Sequence, residues 1–245
     1  DHAGGAGALM RELPRATLVV HPRGARHLID PSALYAGALA VYGQAEMDRW
    51  YGTLVPVPEA RVRSVDDGGV VELAGRALRF VDTPGHARHH HCIWDEASRG
   101  WFTGDTFGLS YREFDAGGRA WVLPSTTPVQ FEPERYITSV ERLLAERPAC
   151  MYLTHYGRVD DVQRLGGVLT GLLREMAAVG RRLRGAERRH ERIVDALRTL
   201  YLASLRAHGC TMSDGDAAAL LAVDIELNAA GMAAWLDRES RKEAA

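Results

Sequence analysis

Thr83-Pro84-Gly85-His86-Ala87-Arg88-His89-His90-His91 is the stretch on which the reading of this chain turns. Three other short pieces give it meaning. They are Asp1-His2 at the start, Thr103-Gly104-Asp105-Thr106 in the middle, and Leu153-Thr154-His155-Tyr156-Gly157 further on. Each puts a His or an Asp where a strand-like run would give way to a loop. Imidazole and carboxylate are the ligands that Zn²⁺, Fe²⁺ and Mn²⁺ take in open catalytic sites. Four such pieces, each followed by Gly or a small residue, suggest one metal centre gathered from four strand ends.

Bulk properties narrow the setting. A chain of 245 residues can bury a full core as one domain or as one domain with an appendage. Its formal net charge of −2 argues against a nucleic-acid partner, which would leave a basic footprint. No apolar run approaches the roughly 20 residues that a membrane span needs. Cys92, Cys150 and Cys210 are odd in number and widely spaced, which suits a reducing cytoplasm better than a disulfide framework.

Working outward, Ala6 to Leu13 reads as a short helix stopped by Pro14, and Thr17 to His21 as a buried strand. Pro31 opens a helix expected to run to about Trp50. Short strands are expected at Arg61–Val65, Val70–Leu73 and Ala77–Val81, with turns at Asp67-Gly68-Gly69 and Ala74-Gly75-Arg76. After the His-rich loop come strands through Cys92–Trp94 and Trp101–Thr103. Residues 107–130 form a long loop, and loops of that length inside a domain are usually functional. A helix follows from Pro133 to about Arg147, then a strand at Met151–Thr154. Beyond Val159 the apolar residues fall at helical spacing in three stripes, the third entered at Ser213 with Asp216 near N3. The expected organisation is an α/β domain over residues 1–159 and an all-helical extension over 160–245.

Taken in order, Asp-His before Gly-Gly, then Pro-Gly-His, Gly-Asp-Thr and Thr-His resembles the metallo-β-lactamase fold superfamily. That family carries His-x-His-x-Asp-His, then Gly-His, an Asp and a late His. The resemblance covers residues 1 to about 158 and implies an αββα sandwich with a binuclear metal centre at one edge. Matched position by position, Asp1, His2 and His155 would bind one ion and His86 the other, with Asp105 bridging both. Asp1 and Asp105 would be the catalytic carboxylates. The two leading histidines of the family motif would precede Asp1, so the chain reads as starting inside that motif and lacking the first strands of the sandwich. No initiator Met or signal peptide is visible.

The resemblance implies two divalent ions, zinc before iron or manganese, sharing a water whose pKa falls toward about 7. The implied reaction is hydrolysis of a thioester, ester or related activated acyl substrate, as in the hydroxyacylglutathione hydrolase (glyoxalase II) branch with its helical addition. Two other readings stay open: a mononuclear iron enzyme resembling persulfide dioxygenase, and a non-catalytic binding protein on the same fold. The expected partners are a small-molecule substrate and a second copy of the chain as a homodimer, without nucleic acid or membrane.

The neighbouring residues have plainer readings. His90, four residues after His86, suits a supporting role beside the metal, while His89 and His91 read as strand residues and His21 as a turn histidine. Tyr156 reads equally as a substrate donor or a surface tyrosine. Cys92 reads as a small buried hydrophobe. The cluster Arg181, Arg182, Arg184, Arg188 and Arg189 reads as a solvated helix face.

Overall fold

Six short strands between Val70 and Val159 pair into a single sheet in the computed structural model, which describes residues 3–50, 52–126 and 130–243. The chain forms two compact units, residues 1–69 and 70–245.

The first unit holds α1 (Ala6–Glu12), β1 (Leu18–Val20), α2 (Pro22–Ile29), α3 (Ser32–Tyr42), α4 (Gln44–Trp50) and β2 (Val62–Ser64), with β1 and β2 parallel. Helix α2 went unforeseen, yet its start is local chemistry. Pro22 occupies the first turn and the His21 Nδ1 accepts the Arg23 N–H at 3.0 Å, capping the helix. The single helix expected from Pro31 to Trp50 is instead two, because the chain leaves α3 at Gly43 with φ of +78°. Arg61 ties the unit together by donating to the carbonyls of Met10, Leu13 and Ala16 at 2.7, 2.5 and 2.8 Å. Those carbonyls lie at and just beyond the end of α1, where intrahelical partners run out.

The second unit is built on β3 (Val70–Leu73), β4 (Arg76–Asp82), β5 (His91–Asp95), β6 (Gly100–Phe102), β7 (Cys150–Leu153) and β8 (Gly157–Val159), in that spatial order. All neighbours are antiparallel except β6 and β7. The direction of each strand then fixes where its loop goes. β4, β6 and β7 all run the same way, so the loops after Asp82, Phe102 and Leu153 leave the sheet at one edge. β8 was not anticipated, since three residues are too few to show a period-2 pattern.

Five α-helices complete the described part of this unit: α5 (Pro133–Ala145), α6 (Val162–Leu183), α7 (Arg189–His208), α8 (Asp214–Leu220) and α9 (Ala222–Glu243). The third stripe of the sequence is thus two helices, bent by 61° at Leu221. Ser213 caps α8 as its spacing from Asp216 suggested, its Oγ accepting the Asp216 N–H at 3.1 Å. A continuous buried cluster runs from Val81 on β4 to Leu236 on α9. Edge-to-face aromatic contacts carry it between layers: Phe131 with Tyr136 and Trp235, and Trp121 with Tyr201. The apolar stripes of residues 162–243 are therefore buried in the same core as the sheet. Among the clustered arginines, Arg181, Arg184, Arg188 and Arg189 pair with Glu134, Glu243, Glu191 and Asp237, which fits a solvated face. No single described helix is long and apolar enough to cross a membrane.

Candidate metal centre

Strand direction brings His86, Asp105 and His155 together. Each lies two to four residues beyond the end of β4, β6 or β7. The Asp105 carboxylate stands between two imidazoles, with Oδ2 at 3.4 Å from the His86 Nε2 and Oδ1 at 3.6 Å from the His155 Nε2. Each carboxylate oxygen faces a different ring. Among the described residues no three His, Cys, Asp or Glu side chains converge on a single ion. The three form a row with the carboxylate in the middle, which is the arrangement a bridging ligand needs. Asp1 and His2 lie outside the described residues.

The donor chemistry of this row fits divalent ions. The His86 Nδ1 is 2.7 Å from the Ser125 carbonyl oxygen, which can only accept, so Nδ1 carries the proton. In the neutral ring Nε2 then presents a lone pair to a carboxylate oxygen, and two electron-rich atoms so placed are reconciled by a cation between them. A backbone carbonyl on the outer nitrogen of a ligating histidine is the usual partner in such sites.

The loop that carries Asp105 is held from beneath by His90. Its Nε2 accepts the Asp105 backbone N–H at 3.1 Å, leaving the proton on Nδ1, which meets the Thr83 and Thr106 hydroxyls at 2.8 and 3.0 Å. His90 thus orients Asp105 and is not placed as a ligand. Its ring lies against Gly104, whose φ is +49°, and a Cβ there would sit 2.3 Å from the His90 Nε2. The Tyr136 hydroxyl, fully buried, donates to the Asp105 carbonyl at 2.5 Å. Burial pushes that phenol well above its usual range, so it stays a donor. Gly85 is required for the same contact: its φ is +130° and a Cβ would lie 2.2 Å from the Tyr136 backbone.

Several sequence readings find their places here. Cys92 is buried under Thr83, and burial pushes its thiol up to about 12, so it supplies no thiolate near neutral pH. Tyr156 donates to Asp115 and lies under the Arg112 guanidinium at 3.9 Å. Within the long loop, Phe114 and Trp121 belong to the core, while Ser125 serves the site through its carbonyl.

Sequence reading missed Tyr136, Asp224 and Asn228. Asp224 and Asn228 sit one turn apart on α9, far from the motifs, and nothing local marks them. The Asp224 carboxylate accepts from the Tyr111 hydroxyl at 2.7 Å, and burial raises its pKa against that bond.

Comparisons with known proteins agree with this fold. The sequence matches an archaeal metallo-beta-lactamase fold-containing protein of Sulfurisphaera tokodaii at 30% identity over 100 residues, 41% of this chain and 34% of the relative. It matches a beta-lactamase-like protein 2 homolog of Caenorhabditis elegans at 28% over 102 residues, 42% of this chain and 30% of the relative. The chain thus spans about a third of the length of these curated relatives. The crystal structure of an archaeal metallo-beta-lactamase superfamily protein from Sulfolobus tokodaii superposes with a TM-score of 0.53 at 22% identity, covering 69% of this chain and 74% of that one. A metallo-beta-lactamase family protein from Thermus thermophilus gives 0.51 at 21% identity, covering 74% of this chain and 59% of that one. Both structural likenesses speak to the fold alone. The family profile described as the metallo-beta-lactamase superfamily matches residues 1–155, well over half the sequence and all three loops of the row, and the chain belongs to that superfamily.

Proposed function

We propose that this protein is a metal-dependent hydrolase acting on a small activated acyl substrate, a thioester or ester in the manner of the glyoxalase II branch. The observation that carries this reading is the Asp105 carboxylate lying between the Nε2 atoms of His86 and His155. His86 would hold one ion and His155 the other, joined by Asp1 and His2 as the family motif implies, with Asp105 shared. Two divalent ions so held, zinc before iron or manganese, would supply Lewis acidity and a nucleophilic water near neutral pH.

The chain's own residues then have defined tasks. Ser125 keeps the His86 proton on Nδ1 through its carbonyl, so that Nε2 is the ligating atom. His90 and Tyr136 grip the Asp105 backbone at its N–H and its carbonyl, which fixes the carboxylate without using either of its oxygens. Cys92, held as a neutral thiol, offers no competing nucleophile.

The test is metal analysis of the protein purified from expression of its whole gene, together with a panel of thioesters, esters and lactones, before and after chelation and reloading with zinc. Two ions per chain and hydrolysis that returns with zinc are expected. Two ions with no hydrolysis of any panel member would reject the reaction. One iron per chain with oxygen uptake would favour the dioxygenase-like alternative.

A further inference from the structure

Asn228 links the C-terminal helices to the loop beside His86. Asn228 on α9 is 2% exposed, and all of its bonding capacity is directed inward. Its Oδ1 accepts the Thr126 N–H at 2.9 Å, and its Nδ2 donates to the Pro124 carbonyl at 2.8 Å. The same Nδ2 donates to the Tyr201 hydroxyl of α7 at 2.9 Å. The Thr126 hydroxyl adds a bond to the Leu227 carbonyl of α9 at 3.3 Å. Asn228 therefore clamps the backbone on both sides of Ser125, and the Ser125 carbonyl is the acceptor for the His86 Nδ1. The Thr126 N–H shares its peptide plane with the Ser125 carbonyl and the Pro124 carbonyl lies in the plane before it, so one amide ties both planes and leaves the Ser125 carbonyl little freedom to rotate. A hydrophobe of the same size would fill the space but leave the Thr126 N–H and the Pro124 carbonyl without this partner.

We infer that Asn228 is a positioning residue of the metal centre, acting through the Ser125 carbonyl to set the tautomer and direction of the His86 ring. The helical region is by this account a working part of the site as well as its packing. The inference rests on the reading of His86 as a ligand. Outer partners of ligating histidines typically shift metal affinity by about 10–100-fold. Asn228 stands one link further out, so the lower end of that range applies.

The experiment measures zinc affinity of the protein expressed from its whole gene by competition with a chromophoric chelator, alongside urea unfolding. His86→Ala first identifies the affinity step that belongs to His86. Asn228→Ala is expected to weaken that step about tenfold. Ser204→Ala is the comparison: it removes the Trp121 Nε1–H to Ser204 Oγ bond of 2.9 Å, which joins the same loop to α7 without touching residues 124–126. It should lower stability while leaving zinc affinity within about twofold of the parent, because the His86 partner is untouched. A reading that needs no variant is ¹⁵N spectroscopy of the metal-free parent, in which the His86 proton should be on Nδ1. Unchanged affinity in Asn228→Ala, an equal loss in Ser204→Ala, or a proton on Nε2 would each overturn the inference. A parent in which His86→Ala alters no zinc step would instead reject the ligand reading beneath it.

Discussion

Gly104→Ala should damage this protein well beyond what one added methyl suggests. At φ of +49° an alanine bears the left-handed penalty, about 1 kcal/mol. The new Cβ would lie 2.3 Å from the His90 Nε2 and 2.8 Å from its Cε1, so ring and loop must separate by about 1 Å to reach ordinary contact. His90 cannot withdraw freely, because Thr83, Thr106 and the Asp105 N–H hold both its nitrogens. Losing one or two of these bonds at about 0.5–1.5 kcal/mol each brings the whole to about 1.5–4 kcal/mol. Displacing Asp105 by about 1 Å should also lower turnover roughly 100-fold. Urea unfolding followed by tryptophan fluorescence measures the first quantity, and a cycle with His90→Ala identifies its cause. Removing the ring removes the obstacle, so the double variant should be less destabilised than the sum of the singles by about 1 kcal/mol or more. Strict additivity, or a single-variant loss below about 0.5 kcal/mol, would refute the steric argument.

Three further outcomes are expected. Asp105→Ala should lose both ions and all hydrolysis, whereas His155→Ala should lose one; equal metal content in parent and both variants, read by mass spectrometry, would remove the bridging role. Arg76→Met should move acid unfolding to higher pH. The hydrogen bond from Arg76 holds the buried Asp95 carboxyl below its usual range, against burial which raises it. That contribution is present above the unfolded carboxylate pKa of about 3.9 and is lost as pH falls through the lower folded value. Without the guanidinium, burial is opposed by the Ser98 hydroxyl and N–H but no longer by the largest of the lowering contacts, and a fluorescence titration in acid should show an earlier midpoint. Deleting residues 160–245 should leave an insoluble product, since Phe131, Trp121 and their neighbours would lose the helices that cover them. A soluble, active fragment would show that those helices are dispensable.

Short-range chemistry is where the sequence was sufficient. Pro133 opening α5, Ser213 capping α8 and the turn at Ala74-Gly75 depend on residues within a few positions of one another. The His and Asp motifs were legible for the same reason, because His86, Asp105 and His155 each sit beside the strand end that carries them. Helix α2, the break at Gly43 and the bend at Leu221 were not anticipated, and β8 was too short to signal itself.

What only the tertiary structure decided is which distant groups hold those motifs in place. Tyr136 reaches Asp105 across 31 residues, and Asn228 reaches Pro124 across 104. Within their own helices both look like ordinary interior positions, one aromatic and one polar. Their role follows from pairing: a buried carbonyl or N–H must find a partner, and the partner is whatever side chain the packing of strands and helices brings within about 3 Å. That distance is set by the whole core at once, so no local pattern in the sequence encodes it.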